Sequence, residues 1–235
     1  MKPHCVIILL LLTCVATIKA KTYVVCVGIA DYPGKKNDLR VSDNDAQTIA
    51  NVFKATKDVS VSVLVNENAK QSDLLSTMQT FFADAQSNDA VVLYFSGHGT
   101  PGALVCYDGL LTYQRIFYIM RNCKANRKII IADACYSGKM RTTNQKSNSY
   151  DPKKVMLFLS SRTNEVSQET KFKNSLFTIF LERGLRGGAD ENKDKIITAR
   201  ELFDFVHDGV VEASINKQHP VMWGKFDNNM TIIKW

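Results

Sequence analysis

The sequence predicts an α/β fold: a mostly parallel β-sheet covered by helices on both faces. Three observations carry this expectation. Short apolar, β-branched runs recur along the chain, too continuous for strands with one wet face. They alternate with segments whose apolar residues follow helical spacing, the order that right-handed crossovers and parallel strands require. With 45% hydrophobic and 23% charged residues over 235 positions, the chain has the composition of one globular domain rather than of a disordered, fibrous or polytopic membrane protein.

In order, Met1 to Ala20 stands apart. Lys2 and His4 precede the apolar run Cys5 to Ala16, then Thr17, Ile18, Lys19 and Ala20. The run is too short to span a bilayer and reads as a secretory signal peptide cut near Ala20. Ile18 departs from the small residue usual three positions before such a cut. Leu11 to Cys14 loosely resembles a lipoprotein box, with Thr13 where a smaller residue is usual. The expected location is therefore secreted or cell envelope, periplasm or surface, with no transmembrane span in the mature residues 21–235. Cleavage removes two lysines and no acid, leaving the charge two below the +7 of the whole chain. The remaining lysines form no basic stripe with interleaved aromatics, which argues against nucleic-acid binding. Four cysteines remain, Cys26, Cys106, Cys123 and Cys135, too few for a disulfide scaffold in a domain of this size. Cys26 lies in an apolar run and reads as a buried thiol.

Thr22 to Ile29, TYVVCVGI, is the first strand. After Pro33 and Gly34, Ser42 opens a helix with Asp43 and Asp45 in its first turn and Ala46, Ile49, Ala50 and Phe53 on one face. Val59 to Val65 is a strand, and Ser72 to Ala85 a helix with Leu74, Leu75, Met78, Phe81 and Phe82 on its core side. Val91 to Ser96 and Lys128 to Asp133 are strands flanking a helix at Thr112 to Arg121. Residues 139–154 are polar, with Lys139, Arg141, Lys146, Lys153 and Lys154, the pattern of an exposed loop. Val155 to Ser160 is a strand, Asn174 to Leu185 a helix stopped by Gly187 and Gly188, and Thr198 to Ile215 another. Strand-like runs flank a turn at Asp227 to Asn229.

Two strand ends carry chemistry. VVLYFSGHG places His98 between two glycines, and KIIIADACYSG places Cys135 in a small-residue turn. Sites in open α/β sheets form beyond the carboxyl ends of strands, so the two can face each other. Imidazole favours the thiolate and returns the proton to a leaving amine, which is acyl-transfer chemistry. The N–H groups of Gly99 and Cys135 are candidate oxyanion donors. No third residue for orienting His98 is evident. His207, among Phe203, Val206 and Val210, and His219, before Pro220, read as structural or exposed.

At these residues the chain resembles the caspase-like cysteine peptidases, metacaspases and bacterial caspase-like proteins more than animal caspases. VVLYFSGHG, IIIADACYSG, YVVCVGIADYPG with LRVSDNDA, and FLSSRTNEVSQE with NSLFTIFLERGL carry the resemblance over residues 22–235. It implies a caspase-like sandwich with a six-stranded sheet and a His98–Cys135 dyad. By the same resemblance Asp45, Ser96 and Asp133 line the pocket for the residue before the cut, which two carboxylates make selective for Arg or Lys. Animal caspases have glutamine where Asp133 stands. Arg40 is the residue that would reverse this preference if it entered the pocket. Expected partners are peptides or proteins with Arg or Lys before the cut, the monomer is the favoured state, and relatives often cut themselves where residues 139–154 lie, as zymogens do. The alternatives are a catalytically silent caspase-like protein that binds basic peptides, and a peptidase preferring Asp.

No cofactor is required by this chemistry. A calcium candidate is separate: Asp190, Asn192, Asp194, the Ile196 carbonyl, Thr198 and Glu201 fall at positions 1, 3, 5, 7, 9 and 12 of an EF-hand-like loop. Lys195 stands where glycine is expected and needs a left-handed backbone there. The competing reading is a polar turn and a helix capped at Thr198. The acids that bind calcium in many metacaspases are not carried over, since only Asp108 and Asp133 lie between His98 and Cys135.

Overall fold

The computed structural model describes residues 19–134, 140, 155–162 and 172–235. The signal peptide apart from Lys19 and Ala20, Cys135, and all of the 139–154 loop except Met140 lie outside the described residues.

The chain runs through β1 (Thr22–Gly28), α1 (Ser42–Lys54), β2 (Val59–Val65), α2 (Gln71–Ala83), β3 (Ala90–Ser96), β4 (Gly99–Thr100), β5 (Ala103–Cys106) and β6 (Gly109–Thr112). It continues through α3 (Tyr113–Asn122), β7 (Arg127–Asp133), β8 (Met156–Leu159), α4 (Leu176–Arg183), β9 (Ile196–Thr198), α5 (Ala199–Ala213), β10 (Val221–Trp223) and β11 (Thr231–Lys234). Six strands form the central sheet in the order β10-β8-β7-β3-β1-β2. All its pairings are parallel except that of β10 with β8. The sheet is therefore mostly parallel, as expected.

Burial on both faces explains why its strands read as continuous apolar runs. On β1, Tyr23, Val25 and Val27 pack with Leu74, Met78 and Phe82 of α2 and Ile116 and Phe117 of α3. Val24 and Cys26 point the other way, toward Ile49 and Phe53 of α1, Phe177 of α4 and Leu202 and Val206 of α5. Truncating a ring as enclosed as Phe53 costs about 3–5 kcal/mol. Cys26, Cys106 and Cys123 are free thiols, the first two buried.

Three details depart from the expected elements. Between β3 and α3 the chain builds a small antiparallel sheet, β4-β5-β6. Of the C-terminal runs, β10 supplies the sixth strand of the main sheet while β11 leaves it to pair with β9. The helix expected to Leu185 ends at Arg183 in a wider turn over Gly184–Gly188, closed by Gly187 at φ 110°.

Register places the site. Gly28 pairs with Ser96, and Ser96 with Asp133, so the last residues of β1, β3 and β7 form one row across the carboxyl edge. A Cβ at Gly28 would lie 2.2 Å from the Ser42 carbonyl oxygen and 2.7 Å from the Ala46 Cβ. Glycine thus lets the first turn of α1 rest on the strand end, bringing Asp45 over the row.

Candidate active site

His98 follows the last residue of β3 by two positions and is held on three sides. Its ring Nε2 lies 2.7 Å from the Asn37 carbonyl oxygen. A carbonyl only accepts, so Nε2 carries the proton and Nδ1 keeps the lone pair in the neutral ring. The Tyr32 ring lies against the imidazole at 4.8 Å between centroids. The His98 backbone N–H donates to the Tyr32 hydroxyl at 2.9 Å, and that hydroxyl donates to the Val105 carbonyl at 3.0 Å. The Val105 N–H returns a bond to the His98 carbonyl at 3.0 Å. The small sheet therefore pins the histidine loop through β5, with Gly99 opening β4 directly after it. Burial pushes the Tyr32 phenol well above its ordinary pKa, so it stays a donor. Gly97 is required by space: its Cβ would meet the Tyr32 hydroxyl at 2.6 Å.

The strand that leads to Cys135 ends beside this loop. The Gly97 N–H donates to the Asp133 carbonyl at 3.1 Å, and Ala134 is buried. Cys135 itself is outside the described residues.

Asp45, Ser96 and Asp133 come together as one buried cluster, each at most 4% exposed. Ser96 Oγ donates to Asp45 Oδ2 at 2.9 Å. Asp45 Oδ1 accepts from Asn174 Nδ2 at 2.9 Å and from the Ser175 N–H at 3.0 Å. Ser175 joins the two acids, because its hydroxyl donates to Asp133 Oδ2. The same hydroxyl accepts the Thr178 N–H at 3.1 Å and so caps α4. Beneath it Thr178 Oγ1 lies 2.5 Å from the Tyr94 hydroxyl. Burial first, and the neighbouring Asp133 charge second, push the Asp45 carboxyl up to about 7. Two acids share a buried space in which the donors described to Asp45 are all neutral. Arg40 is exposed, unlike both carboxylates.

The 190–201 loop is an internally bonded turn. Asp190 Oδ1 and Asn192 Oδ1 accept from the Asp194 N–H, Asp190 Oδ2 from the Lys195 N–H, and Asp194 Oδ1 from the Ile196 N–H. Lys195 does adopt the left-handed backbone, at φ 64°. Thr198 and Glu201 form a reciprocal capping box at the start of α5. Among the described residues no group of three or more His, Cys, Asp or Glu has metal-holding geometry. His207 stacks on Phe203 and bonds Asp208, and His219 bonds Asn216.

The sequence model described as the caspase domain matches residues 21–230. The chain belongs to the caspase-domain family. It therefore carries a caspase-like peptidase domain, of the cysteine-peptidase kind, acting on peptides or proteins. Among curated proteins none matches it in sequence. Solved structures show the same fold: caspase-1 from Spodoptera frugiperda matches with a TM-score of 0.71 at 17% identity, over 92% of this chain and 91% of that one. Protein GSU0716 from Geobacter sulfurreducens matches with a TM-score of 0.67 at 17% identity, over 88% and 95%.

The residues missed from sequence are Tyr32, Asn37, Asn174 and Ser175. Tyr32 stood inside a quoted motif. Asn37 acts through its backbone carbonyl, which side-chain chemistry does not advertise, and Ser175 could have been found as the cap of α4.

Proposed function

We propose that this family member is a secreted cysteine endopeptidase that cuts after Arg or Lys through an acyl-enzyme on Cys135. What carries the specificity is the buried pair Asp45 and Asp133, surrounded by hydroxyl and amide donors at the carboxyl edge. A guanidinium or ammonium from the substrate is attracted by two buried carboxylates, and an Asp side chain is repelled.

In the reaction His98 Nδ1 takes the Cys135 proton, and the thiolate sulfur attacks the carbonyl carbon. The carbonyl π electrons move to oxygen, where the N–H groups of Gly99 and Cys135 stabilise the charge. As the tetrahedral adduct collapses, the C–N bond breaks and the imidazolium gives its proton to the leaving amine. Water, deprotonated by His98, then cleaves the thioester and releases the acid and the thiol. The Asn37 carbonyl steadies the imidazolium through its hydrogen bond on Nε2. The basic residues of the 139–154 loop are substrates of the same chemistry in the protein's own chain. Residues 1–20 act as the export leader, and no described helix is long and apolar enough to cross a membrane.

Fluorogenic peptides ending in Arg, Lys or Asp, assayed beside Cys135→Ala, test the proposal. Turnover of the Arg and Lys peptides that falls by at least about 10³-fold in the variant is expected. Preference for Asp would overturn the pocket, and Cys135-independent turnover or none at all would overturn the mechanism. Mass spectrometry of the wild type and the variant shows whether the loop cut is self-inflicted.

A further inference from the structure

At the opposite, amino edge of the sheet lies a second buried acid. Asp89 is 4% exposed and immediately precedes β3. Its Oδ2 accepts the Gln86 N–H at 2.8 Å, and its Oδ1 accepts the backbone N–H of Lys21 at 2.7 Å. That distance is short for a neutral amide donor and falls in the range of charge-assisted bonds. Lys21 is fixed on its other side as well, because its carbonyl accepts the Ala90 N–H at 2.9 Å. The next residue, Thr22, donates to the Asp58 carbonyl at 3.0 Å and begins β1. Immediately upstream, Lys19 and Ala20 are exposed and belong to no strand or helix. Among the described residues, Lys21 is thus bonded on both sides just before β1, and one of its partners is a buried carboxylate.

We propose that cleavage after Ala20 is a maturation step whose new terminus has a built receptor: the α-ammonium of Lys21 docks on the buried carboxylate of Asp89. Hydrolysis of the Ala20–Lys21 amide adds water across the C–N bond, leaving a carboxylate on the departing leader and an ammonium on Lys21. One of the three ammonium N–H bonds replaces the amide donor to Asp89, and the other two reach solvent, since Lys21 is exposed. The surrounding charges are compatible. Arg127 is half-buried and donates to the Asn88 and Thr231 carbonyls at 3.1 and 3.3 Å, with Asp89 as its favourable charge. The Lys19 ammonium contacts the Asp58 carboxylate at 3.9 Å in the open, a pair that leaves with the leader. The inference rests on the leader reading of residues 1–20 and is independent of the peptidase chemistry.

The test begins with the full chain expressed in a secreting host, followed by the mass of the mature N-terminus. Lys21 is the expected first residue. Retention of residues 1–20 overturns both the leader and the receptor, whereas removal at another bond overturns the receptor alone. Next, chains beginning at Lys19 and at Lys21 are compared; both contain the whole family match. An ammonium held by Asp89 has a raised pKa, so its stabilisation is complete below the unfolded value of about 7.7 and vanishes as pH rises through the folded value. The Lys21 chain is expected to melt about 3 °C higher at pH 6.5 and at the same temperature as the Lys19 chain by about pH 10.5. Asp89→Asn is expected to abolish the difference. Equal melting at both pH values overturns the proposal. Should the variant not fold, ¹⁵N NMR of the Lys21 amine decides: a pKa above about 8.5 supports the receptor, and an ordinary one near 7.7 overturns it.

Discussion

Asp45 and Asp133 at the carboxyl edge of the sheet, and Asp89 at its amino edge, are aspartates buried to a similar degree, yet their surroundings differ in charge. Asp89 receives two backbone N–H groups and has Arg127 nearby. Asp45 receives a hydroxyl, a side-chain amide and a backbone N–H, and the charge of a second acid, Asp133, helps push its pKa up. The donors described to Asp45 are neutral, whereas Asp89 has the Arg127 guanidinium as a favourable charge. On the proposed function, the difference separates a carboxylate that anchors the fold from one that receives the substrate's cation.

The strongest way to break that comparison is to remove each carboxylate of the carboxyl edge in turn. Truncating one partner of a buried charge pair costs 2 kcal/mol or more, so Asp133→Ala and Asp45→Asn are expected to lower kcat/KM for Arg peptides on the order of 10²-fold. Alkylation of Cys135 by iodoacetamide should change by no more than about threefold, because the thiol and its base are untouched. Equal losses on Arg and Asp peptides would show that the acids are not reading charge.

A second effect is smaller and concerns stability. The folded Asp45 carboxyl titrates near 7 while its unfolded value is about 3.9. Between those values the folded state holds more protons, so the contribution of this group to stability is complete below about pH 4 and declines as pH rises to about 7. Asp45→Asn keeps an acceptor for Ser175 and loses the charge. It should match the wild type near pH 4 and melt higher near pH 8. Parallel melting curves across that range would show that the Asp45 charge does not set the pH dependence of stability.

The smallest effect is expected at the third acid-rich place, the 190–201 loop. Its acids are exposed or half-buried, and oxygens of Asp190, Asp194 and Glu201 are engaged by backbone N–H groups or the capping box. Chelation should leave peptide turnover within about 20% and the melting temperature within about 1 °C of their starting values. A calcium-dependent rise of several degrees would assign an ion to the loop and add a third electrical arrangement to the two at the sheet edges.

Much of this was legible in the sequence because both faces of the sheet are covered. Residues such as Val91 to Phe95 have no wet side, so the run declares a buried strand. Ser42 to Phe53 declares α1 through its spacing, and Asp45 could be placed on its first turn. What stayed hidden depends on contacts between distant segments. Ser175 lies 130 positions from Asp45, and its role as the link between two acids exists only once α4 is packed. The small sheet β4-β5-β6 was also missed, because strands of two to four residues are too short for a period to emerge. Asn37 contributes a carbonyl that every residue type possesses, so only its position is informative.

The burial of Cys26 and Cys106 has a consequence for redox behaviour. Burial pushes the Cys106 thiol up to about 12 and the Cys26 thiol higher still. Thiol–disulfide exchange proceeds through thiolate and needs access, so in the folded protein neither sulfur is an effective competitor for a nucleophilic cysteine elsewhere in the chain. A protein arranged in this way can work in an oxidising medium without a disulfide at either position, and oxidants that reach its active thiol leave these two unmarked.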